Sequence, residues 1–121
     1  AEHKDVSTMV DASCGLWELL WGRMIVSPEY RWPSYLNYTG LDLHLDIQIN
    51  NEEFVRRAGG ARRKLRLRSI RFDVADILEG PLPRADVLLT KDTLIHFPSP
   101  DIQKFLRLNL GGCPPRFRYV V

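Results

Sequence analysis

The sequence predicts an α/β fold, a three-layer sandwich built around a mostly parallel central sheet. Short apolar runs alternate along the chain with segments whose apolar residues recur at helical spacing. Three of the runs end at an aspartate, namely Asp11, Asp42 and Asp76. Strands that alternate with helices form parallel sheets with right-handed crossovers, so we expect these carboxylates to meet along one sheet edge.

The first strand is predicted over Val6–Val10 and is closed by Asp11, because a continuous apolar run suits a strand covered on both faces. A helix is predicted over Leu16–Ile25, where the apolar residues have helical spacing. An aromatic loop with Tyr30, Trp32 and Tyr35 follows; these residues could wall an acceptor pocket, and we favour packing in the core. The second strand is predicted over Tyr38–Asp42.

The second helix is predicted from Leu45 to the Gly59-Gly60 pair, which is a typical stop signal. A third strand is predicted over Ile70–Ala75, where apolar and polar residues alternate before Asp76. The last predicted elements are a strand at Ala85–Thr90, a helix beginning at Pro98-Ser99-Pro100-Asp101 and a fifth strand at Phe117–Val121.

Length and composition predict one domain over residues 1–121, since a chain of 121 residues can bury a single core. The N-terminus is charged, and no apolar stretch approaches the roughly 20 residues of a membrane span. The two cysteines, Cys14 and Cys113, form no CxxC motif, which predicts a reduced, cytoplasmic protein without a zinc site. We therefore expect neither a membrane nor a metal to take part in function.

Basic residues are concentrated in one stretch although the net charge is only +2. They are Arg56, Arg57, Arg62, Arg63, Lys64, Arg66, Arg68 and Arg71. We favour a solvated helix end and loop over nucleic-acid binding, because no aromatic residues are interleaved for base stacking. A phosphate-bearing substrate or RNA is the alternative interpretation of this stretch.

The three strand-end aspartates form an array that a ligand with an amine, a ribose and an adenine would use. Asp11 can order the turn whose backbone amides approach the ligand, and Asp42 can accept both ribose hydroxyls. Asp76 can meet the exocyclic amine of adenine. An aspartate at a strand end is also a common turn-former, and that interpretation stays open for each one.

These residues resemble class I S-adenosylmethionine-dependent methyltransferases, which have a Rossmann-like fold. The motifs that carry the resemblance are Val10-Asp11-Ala12-Ser13-Cys14-Gly15, Gly40-Leu41-Asp42, Phe72-Asp73-Val74-Ala75-Asp76 and Lys91-Asp92-Thr93-Leu94-Ile95-His96-Phe97. They resemble, in order, the family's glycine-rich turn, its acid-ended second strand, its adenine-side motif and its fourth motif. The family's sheet has a sixth and a seventh strand, so we interpret the chain as incomplete at its C-terminal end.

The resemblance implies S-adenosylmethionine as the cofactor and methyl transfer to an unidentified small-molecule or protein acceptor. The implied cofactor-binding residues are Asp11, Ser13, Cys14, Gly15, Asp42, Leu43, Asp76, Ile77 and Lys91. Asp92 and His96 are the candidate catalytic residues, because both follow the fourth strand and His96 titrates near neutral pH. The alternative for His96 is packing against the following helix.

The turn after the first strand departs from the family pattern. Ser13 stands where a glycine is common, and Trp17 stands where the third glycine would fall, so Trp17 must find room or turn into the core. A non-catalytic binding or regulatory domain that keeps the fold is therefore the second hypothesis. A dinucleotide-binding oxidoreductase ranks last, since the turn lacks the G-x-G-x-x-G spacing.

Overall fold

A computed structural model describes residues 6–23, 27, 29–32 and 34–121 of the protein. In these residues the strands are β1 (Thr8–Ala12), β2 (Leu36–Asp42), β3 (Leu67–Val74), β4 (Ala85–Leu89) and β5 (Phe117–Val120). They form one sheet in the order β3-β2-β1-β4-β5, and every neighbouring pair is parallel. The predicted parallel α/β class is confirmed.

Helices lie on both faces of this sheet. The helices whose bounds lie within the described residues are α1 (Trp17–Leu20), α2 (Leu45–Arg57), α3 (Ala61–Lys64) and α4 (Ser99–Leu110), with a 3-10 turn at Leu94–His96. The described part of the chain contains no helix with the length and hydrophobicity needed to cross a bilayer. The helix predicted to reach Ile25 begins as α1, and its end at Met24 and Ile25 lies outside the described residues.

The core is divided by the sheet, which explains why β1 reads as a continuous apolar run. Met9 packs with Trp17 and Tyr38 on the face that carries α1 and α2. Its neighbour Val10 packs with Leu88 and Phe105 on the face that carries α4. Successive side chains of a strand point to opposite faces, so a strand covered on both sides is apolar at every position.

The strands differ from their predicted bounds: β4 and β5 each end one residue early, β2 begins at Leu36, two residues before Tyr38, and β1 and β3 differ at both ends. β1 ends at Ala12, so Asp11 lies inside the strand, where it pairs in register with Gly40 and Leu89. The strand can continue through this acid because the Tyr38 hydroxyl satisfies its buried carboxylate. β3 begins earlier than Ile70, since Leu67 is already paired with Leu36 of β2.

The connection from β3 to β4 contains no helix between residues 75 and 84. It is held instead by Asn109 of α4, whose side-chain oxygen accepts a hydrogen bond from the Leu82 amide at 2.9 Å. Arg116 donates to the Leu82 carbonyl at 3.0 Å. The sequence likewise predicts no helix between the third and fourth strands, so the structure agrees with it at this crossover.

The strand order places a switch point between β1 and β4. The chain proceeds outward from β1 through β2 to β3 and then returns to the other side of β1 to form β4 and β5. The loops after β1 and β4 consequently leave the sheet in opposite directions. In open α/β sheets this opening at the carboxyl ends of the strands is where ligands bind.

Candidate functional site

A cavity of about 600 Å³ lies at this switch point, and we call it the carboxyl-edge cavity. Its polar end is lined by Asp11, Ser13, Cys14, Gly15, Asp42, Lys91, Asp92, Thr93 and His96. Its apolar wall is formed by Met9, Leu20, Trp21, Tyr30, Trp32, Val87, Leu89, Phe97 and Val121. The volume is that of a typical small-molecule site, roughly 300–1,000 Å³.

The turn after β1 is held by hydrogen bonds to two other elements, β2 and α2. The Cys14 amide donates to the Leu41 carbonyl at 2.8 Å. The Gly15 amide donates to an Asp42 carboxylate oxygen at 3.1 Å, and the Asn51 side chain donates to the Gly15 carbonyl at 2.8 Å. Gly15 has φ +61°, a left-handed conformation that glycine adopts without a steric penalty. The backbone that faces the cavity is thus fixed.

Thr93 joins this turn to the loop after β4. Its hydroxyl donates to the Ala12 carbonyl at 3.0 Å and accepts from the Ser13 amide at 3.2 Å. Thr93 is buried, so these bonds are shielded from water. The two loops that border the switch point are therefore connected on the protein side of the cavity.

Asp11 is the buried acid of the site. The Tyr38 hydroxyl donates to its carboxylate at 2.5 Å, and that hydroxyl accepts from the Trp17 indole nitrogen at 3.0 Å. The pKa of Asp11 is raised to about 6: burial and, to a smaller extent, the charge of Asp42 raise it, and the hydrogen bond from Tyr38 lowers it. Asp11 consequently orders the interior side of the site through Tyr38, whereas Asp42 holds the glycine turn.

Cys14 packs into the protein next to these acids. Its thiol accepts a 3.7 Å hydrogen bond from the Asn51 side chain. The pKa of Cys14 is raised to about 12, mainly by burial and in addition by the charges of Asp11 and Asp42. The thiol is therefore neutral at physiological pH and does not serve as a nucleophile.

Trp17 does not obstruct the cavity, although it occupies the position of a family glycine. Its side chain is fully buried and contacts Tyr38 and Phe72 edge to face, at centroid distances of 5.1 and 5.3 Å. Its amide donates to the Asn51 side-chain oxygen at 2.8 Å. The indole has thus turned into the core, one of the two outcomes that the sequence allowed.

Three of the predicted cofactor-binding residues lie outside the carboxyl-edge cavity. Leu43 is exposed beyond the end of β2, and Ile77 is buried in the core on the α4 face. Asp76 is exposed and accepts a hydrogen bond from the Leu78 amide at 2.9 Å. A hydrogen bond to an amide two residues ahead is typical of an aspartate that forms a turn. This is the alternative interpretation that the sequence leaves open for each strand-end aspartate.

The candidate catalytic residues lie on the cavity wall. Lys91, Asp92 and His96 are all exposed there, and Asp92 has φ +56°, which non-glycine residues rarely adopt. Among the described residues, none forms a hydrogen bond or an ion pair with the Asp92 carboxylate or the His96 imidazole. Both side chains are free to meet a ligand and are not paired with each other.

Sequence reasoning missed Asn51, Thr93 and Tyr38, which hold the site from behind. A signal exists for Asn51, because it interrupts the apolar spacing of α2 between Ile47 and Val55 and is only 1% exposed. Tyr38 shows no such signal, since its hydroxyl meets Asp11 only after β1 and β2 pair. No group of three or more metal-ligating side chains occurs in the described ranges.

The comparisons with known proteins identify the fold. No protein-family model matches the sequence, and no curated protein matches it. Solved structures with the same fold include an O-methyltransferase family 2 protein from Planctomyces limnophilus in complex with apigenin (TM-score 0.56, 15% identity, 84% of this chain and 27% of that one). The fold is thus the Rossmann-like fold of S-adenosylmethionine-dependent methyltransferases.

Two further solved structures share it. The S-adenosylmethionine-dependent methyltransferase SibL aligns with a TM-score of 0.60 at 19% identity over 88% of this chain and 28% of its own. RosA from Streptomyces davawensis is an N,N-8-amino-8-demethyl-D-riboflavin dimethyltransferase. It aligns with a TM-score of 0.53 at 14% identity over 88% of this chain and 28% of its own. The chain therefore spans 27–28% of the length of these proteins. The resemblance drawn from the sequence is confirmed for the fold.

Proposed function

We propose that this chain is the S-adenosylmethionine-binding part of a methyltransferase that acts on an unidentified small-molecule or protein acceptor. The observation that carries the proposal is the convergence of two loops at the switch point of a methyltransferase-type sheet. The turn after β1 and the loop after β4 meet there through Thr93, around a cavity of suitable volume.

The charges of the cavity agree with this cofactor. S-adenosylmethionine carries a sulfonium and an ammonium group, and Asp11 and Asp42 place two carboxylates on the same cavity wall. One oxygen of Asp42 accepts from the Gly15 amide, and the other accepts from the His44 amide at 3.4 Å. A carboxylate offers about four lone-pair sites, so Asp42 keeps acceptors for the two ribose hydroxyls. Ser13, Cys14, Gly15 and Lys91 complete the proposed contacts.

Methyl transfer needs little from the protein beyond positioning and exclusion of water. The acceptor atom attacks the sulfonium-bound carbon and the thioether leaves, so a base is needed only for an acceptor that carries a proton. Asp92 and His96 would take that proton from the wall of the cavity. The aromatic and aliphatic side chains of the opposite wall would keep water from the methyl group.

Calorimetric titration with S-adenosylmethionine and S-adenosylhomocysteine tests the proposal. Asp42→Asn keeps an acceptor for the Gly15 amide but removes the charge, and we expect it to weaken binding by about 1–3 kcal/mol. The matched control is Asp76→Asn, which makes the same change outside the cavity and should bind as the unmodified chain does. A folded chain that binds neither compound contradicts the proposal.

The second candidate is a non-catalytic binding domain with the same fold. The observation that favours it is the lack of hydrogen-bond partners for Asp92 and His96 in the described residues, which leaves no preoriented base. Binding that depends on Asp42, together with no methyl transfer to any acceptor by the whole protein, would support this candidate. Turnover that falls in both Asp92→Asn and His96→Ala would exclude it.

We further propose a reducing, cytoplasmic setting for the protein. Both cysteines are free thiols, Cys14 buried and Cys113 exposed. An exposed free thiol suits a compartment in which disulfides do not persist.

A further inference from the structure

A second concave surface lies at the opposite edge of the sheet, where β2 and β3 begin. It has a volume of about 680 Å³, and we call it the basic basin. Its lining consists of Arg31, Tyr35, Gly60, Arg63, Lys64 and Arg66. Four of these six residues are cations and none is an acid, so the surface differs in character from the carboxyl-edge cavity.

In the part of the chain that the structure describes, no carboxylate forms an ion pair with Arg63, Lys64 or Arg66 of the basic basin. Between Phe54 and Phe72 the sequence contains eight arginines and lysines and no acid. The ion pairs found in the described residues near this stretch join Glu53 to Arg56 and Arg57, and Asp73 to Arg71. Arg63, Lys64 and Arg66 lie between those pairs, and none has a described carboxylate within ion-pair distance. Their mutual repulsion favours an anion in the basin.

The conformation of Arg66 is fixed by its backbone hydrogen bonds and by a contact of its side chain with Tyr35. Its φ of +59° is a left-handed conformation that arginine rarely adopts, and such conformations cluster at functional sites. Its amide donates to the Arg63 carbonyl at 3.0 Å, and its carbonyl accepts from the Leu36 amide at 3.0 Å. Its guanidinium lies 4.8 Å from the centre of the Tyr35 ring. A side chain fixed in this way loses little freedom when it binds.

We propose that the basic basin binds a small ligand that carries two or more phosphate groups. Guanidinium groups match phosphate oxygens with paired hydrogen bonds, and Lys64 adds a compact point charge. The volume exceeds that of one phosphate and lies within the usual range for small molecules, roughly 300–1,000 Å³. A nucleic acid fits less well, since Tyr35 is the basin's single aromatic residue and Arg66 already covers its ring.

Titration with inorganic tripolyphosphate, pyrophosphate and phosphate at 0.15 M salt tests this proposal. We expect tripolyphosphate to bind more tightly than pyrophosphate, and phosphate to bind weakly. Arg63→Ala/Lys64→Ala should weaken tripolyphosphate binding by about tenfold or more, because two charge-assisted contacts are lost. Arg66→Lys keeps the charge but loses the paired hydrogen bonds and should weaken binding by a smaller factor.

The control is Lys104→Ala/Arg107→Ala, which removes the same charge from exposed positions of α4. It should bind tripolyphosphate as the unmodified chain does, with all variants melting at similar temperatures. Equal weakening by both double variants would overturn the proposal, because it would show general attraction to a basic chain. A single-stranded oligonucleotide that binds at least tenfold more tightly than tripolyphosphate would overturn it in favour of a nucleic-acid surface. Since S-adenosylmethionine is absent from these titrations, their outcome is independent of the proposed function.

Discussion

At the scale of single residues, Asp11 makes the folding stability of the chain depend on pH. Its pKa is raised from 3.8 to about 6, mainly by burial, so between these values the folded chain holds a proton that the unfolded chain has released. The stability that Asp11 contributes is therefore fully present below pH 3.8 and is lost as the pH rises through about 6. The hydrogen bond from Tyr38 limits this loss but does not reverse it.

We expect Asp11→Asn to remove this dependence while keeping an acceptor for the Tyr38 hydroxyl. The unfolding free energy of the variant, measured in urea, should rise relative to the unmodified chain as the pH increases from 3.8 to about 6. Asp86→Asn serves as the control, because the pKa of Asp86 is shifted in the opposite direction to that of Asp11. Burial raises the pKa of Asp86, but hydrogen bonds from Ser7 and Thr8 outweigh it, so the net pKa is lowered. Relative to Asp86→Asn, the unmodified chain should lose stability in acid. A pH-independent difference for Asp11→Asn would contradict the expectation.

Gly40 is required for close packing behind the glycine turn. A Cβ atom at this position would lie 3.0 Å from Cys14 Sγ and 3.0 Å from Phe72 Cδ1. Both neighbours are buried, so we expect Gly40→Ala to lower the unfolding free energy by about 1–3 kcal/mol. Gly80→Ala is the matched control, because a Cβ there meets nothing within 4 Å. It should be neutral or stabilising by up to about 1 kcal/mol, and equal losses in both variants would contradict this account.

At the scale of elements, α2 and α4 each use one buried asparagine to hold a neighbouring loop. Asn51 of α2 bonds the Trp17 amide and the Gly15 carbonyl. Asn109 of α4 bonds the Leu82 amide and the Phe105 carbonyl. Each asparagine is 1% exposed, so Asn51 and Asn109 are matched in burial and can be compared as variants. Only Asn51 holds a loop of the carboxyl-edge cavity.

We expect Asn51→Ala and Asn109→Ala to destabilise the chain by similar amounts, about 1–3 kcal/mol for each backbone group left unpaired in the interior. Only Asn51→Ala should also weaken binding of S-adenosylhomocysteine, because the Gly15 turn loses its support. Chemical unfolding measures the first effect and calorimetry the second. Weaker binding in Asn109→Ala as well would mean that affinity follows global stability.

The elements that were predictable from the sequence are those set by local pattern. Apolar runs or apolar-polar alternation predicted the strands, and the glycine pair predicted the end of α2, because burial and chain reversal act on neighbouring residues. The supports of the site were not predictable, since they join distant parts of the chain. Thr93 and Ala12, for instance, are 81 residues apart. The spacing of residues also did not predict the surroundings of Asp76. β3 ends at Val74, and Asp76 lies in the turn beyond the strand.

At the scale of the whole molecule, charge is separated along the strands. Asp11 and Asp42 face the cavity at the carboxyl edge, whereas Arg63, Lys64 and Arg66 face the basin at the amino edge. β2 has seven residues and begins at Leu36, beside the basin, and ends at Asp42, beside the cavity. A strand of that length separates the two surfaces by about 20 Å. One short sheet thus presents an acidic and a basic edge.

This separation predicts how two ligands would influence each other, if both proposals hold. Charges are screened over about 10 Å at 0.1 M salt, which is less than the length of β2, so tripolyphosphate should leave the affinity for S-adenosylmethionine unchanged. At about 0.01 M salt the screening length grows to roughly 30 Å, and bound tripolyphosphate should then strengthen binding of the cationic cofactor. S-adenosylhomocysteine, which lacks the sulfonium charge, is the control and should respond less. Calorimetry at both salt concentrations measures the coupling. Coupling of equal size for both compounds, or coupling that persists at 0.1 M salt, would show that a conformational change and not the field of the charges connects the two edges.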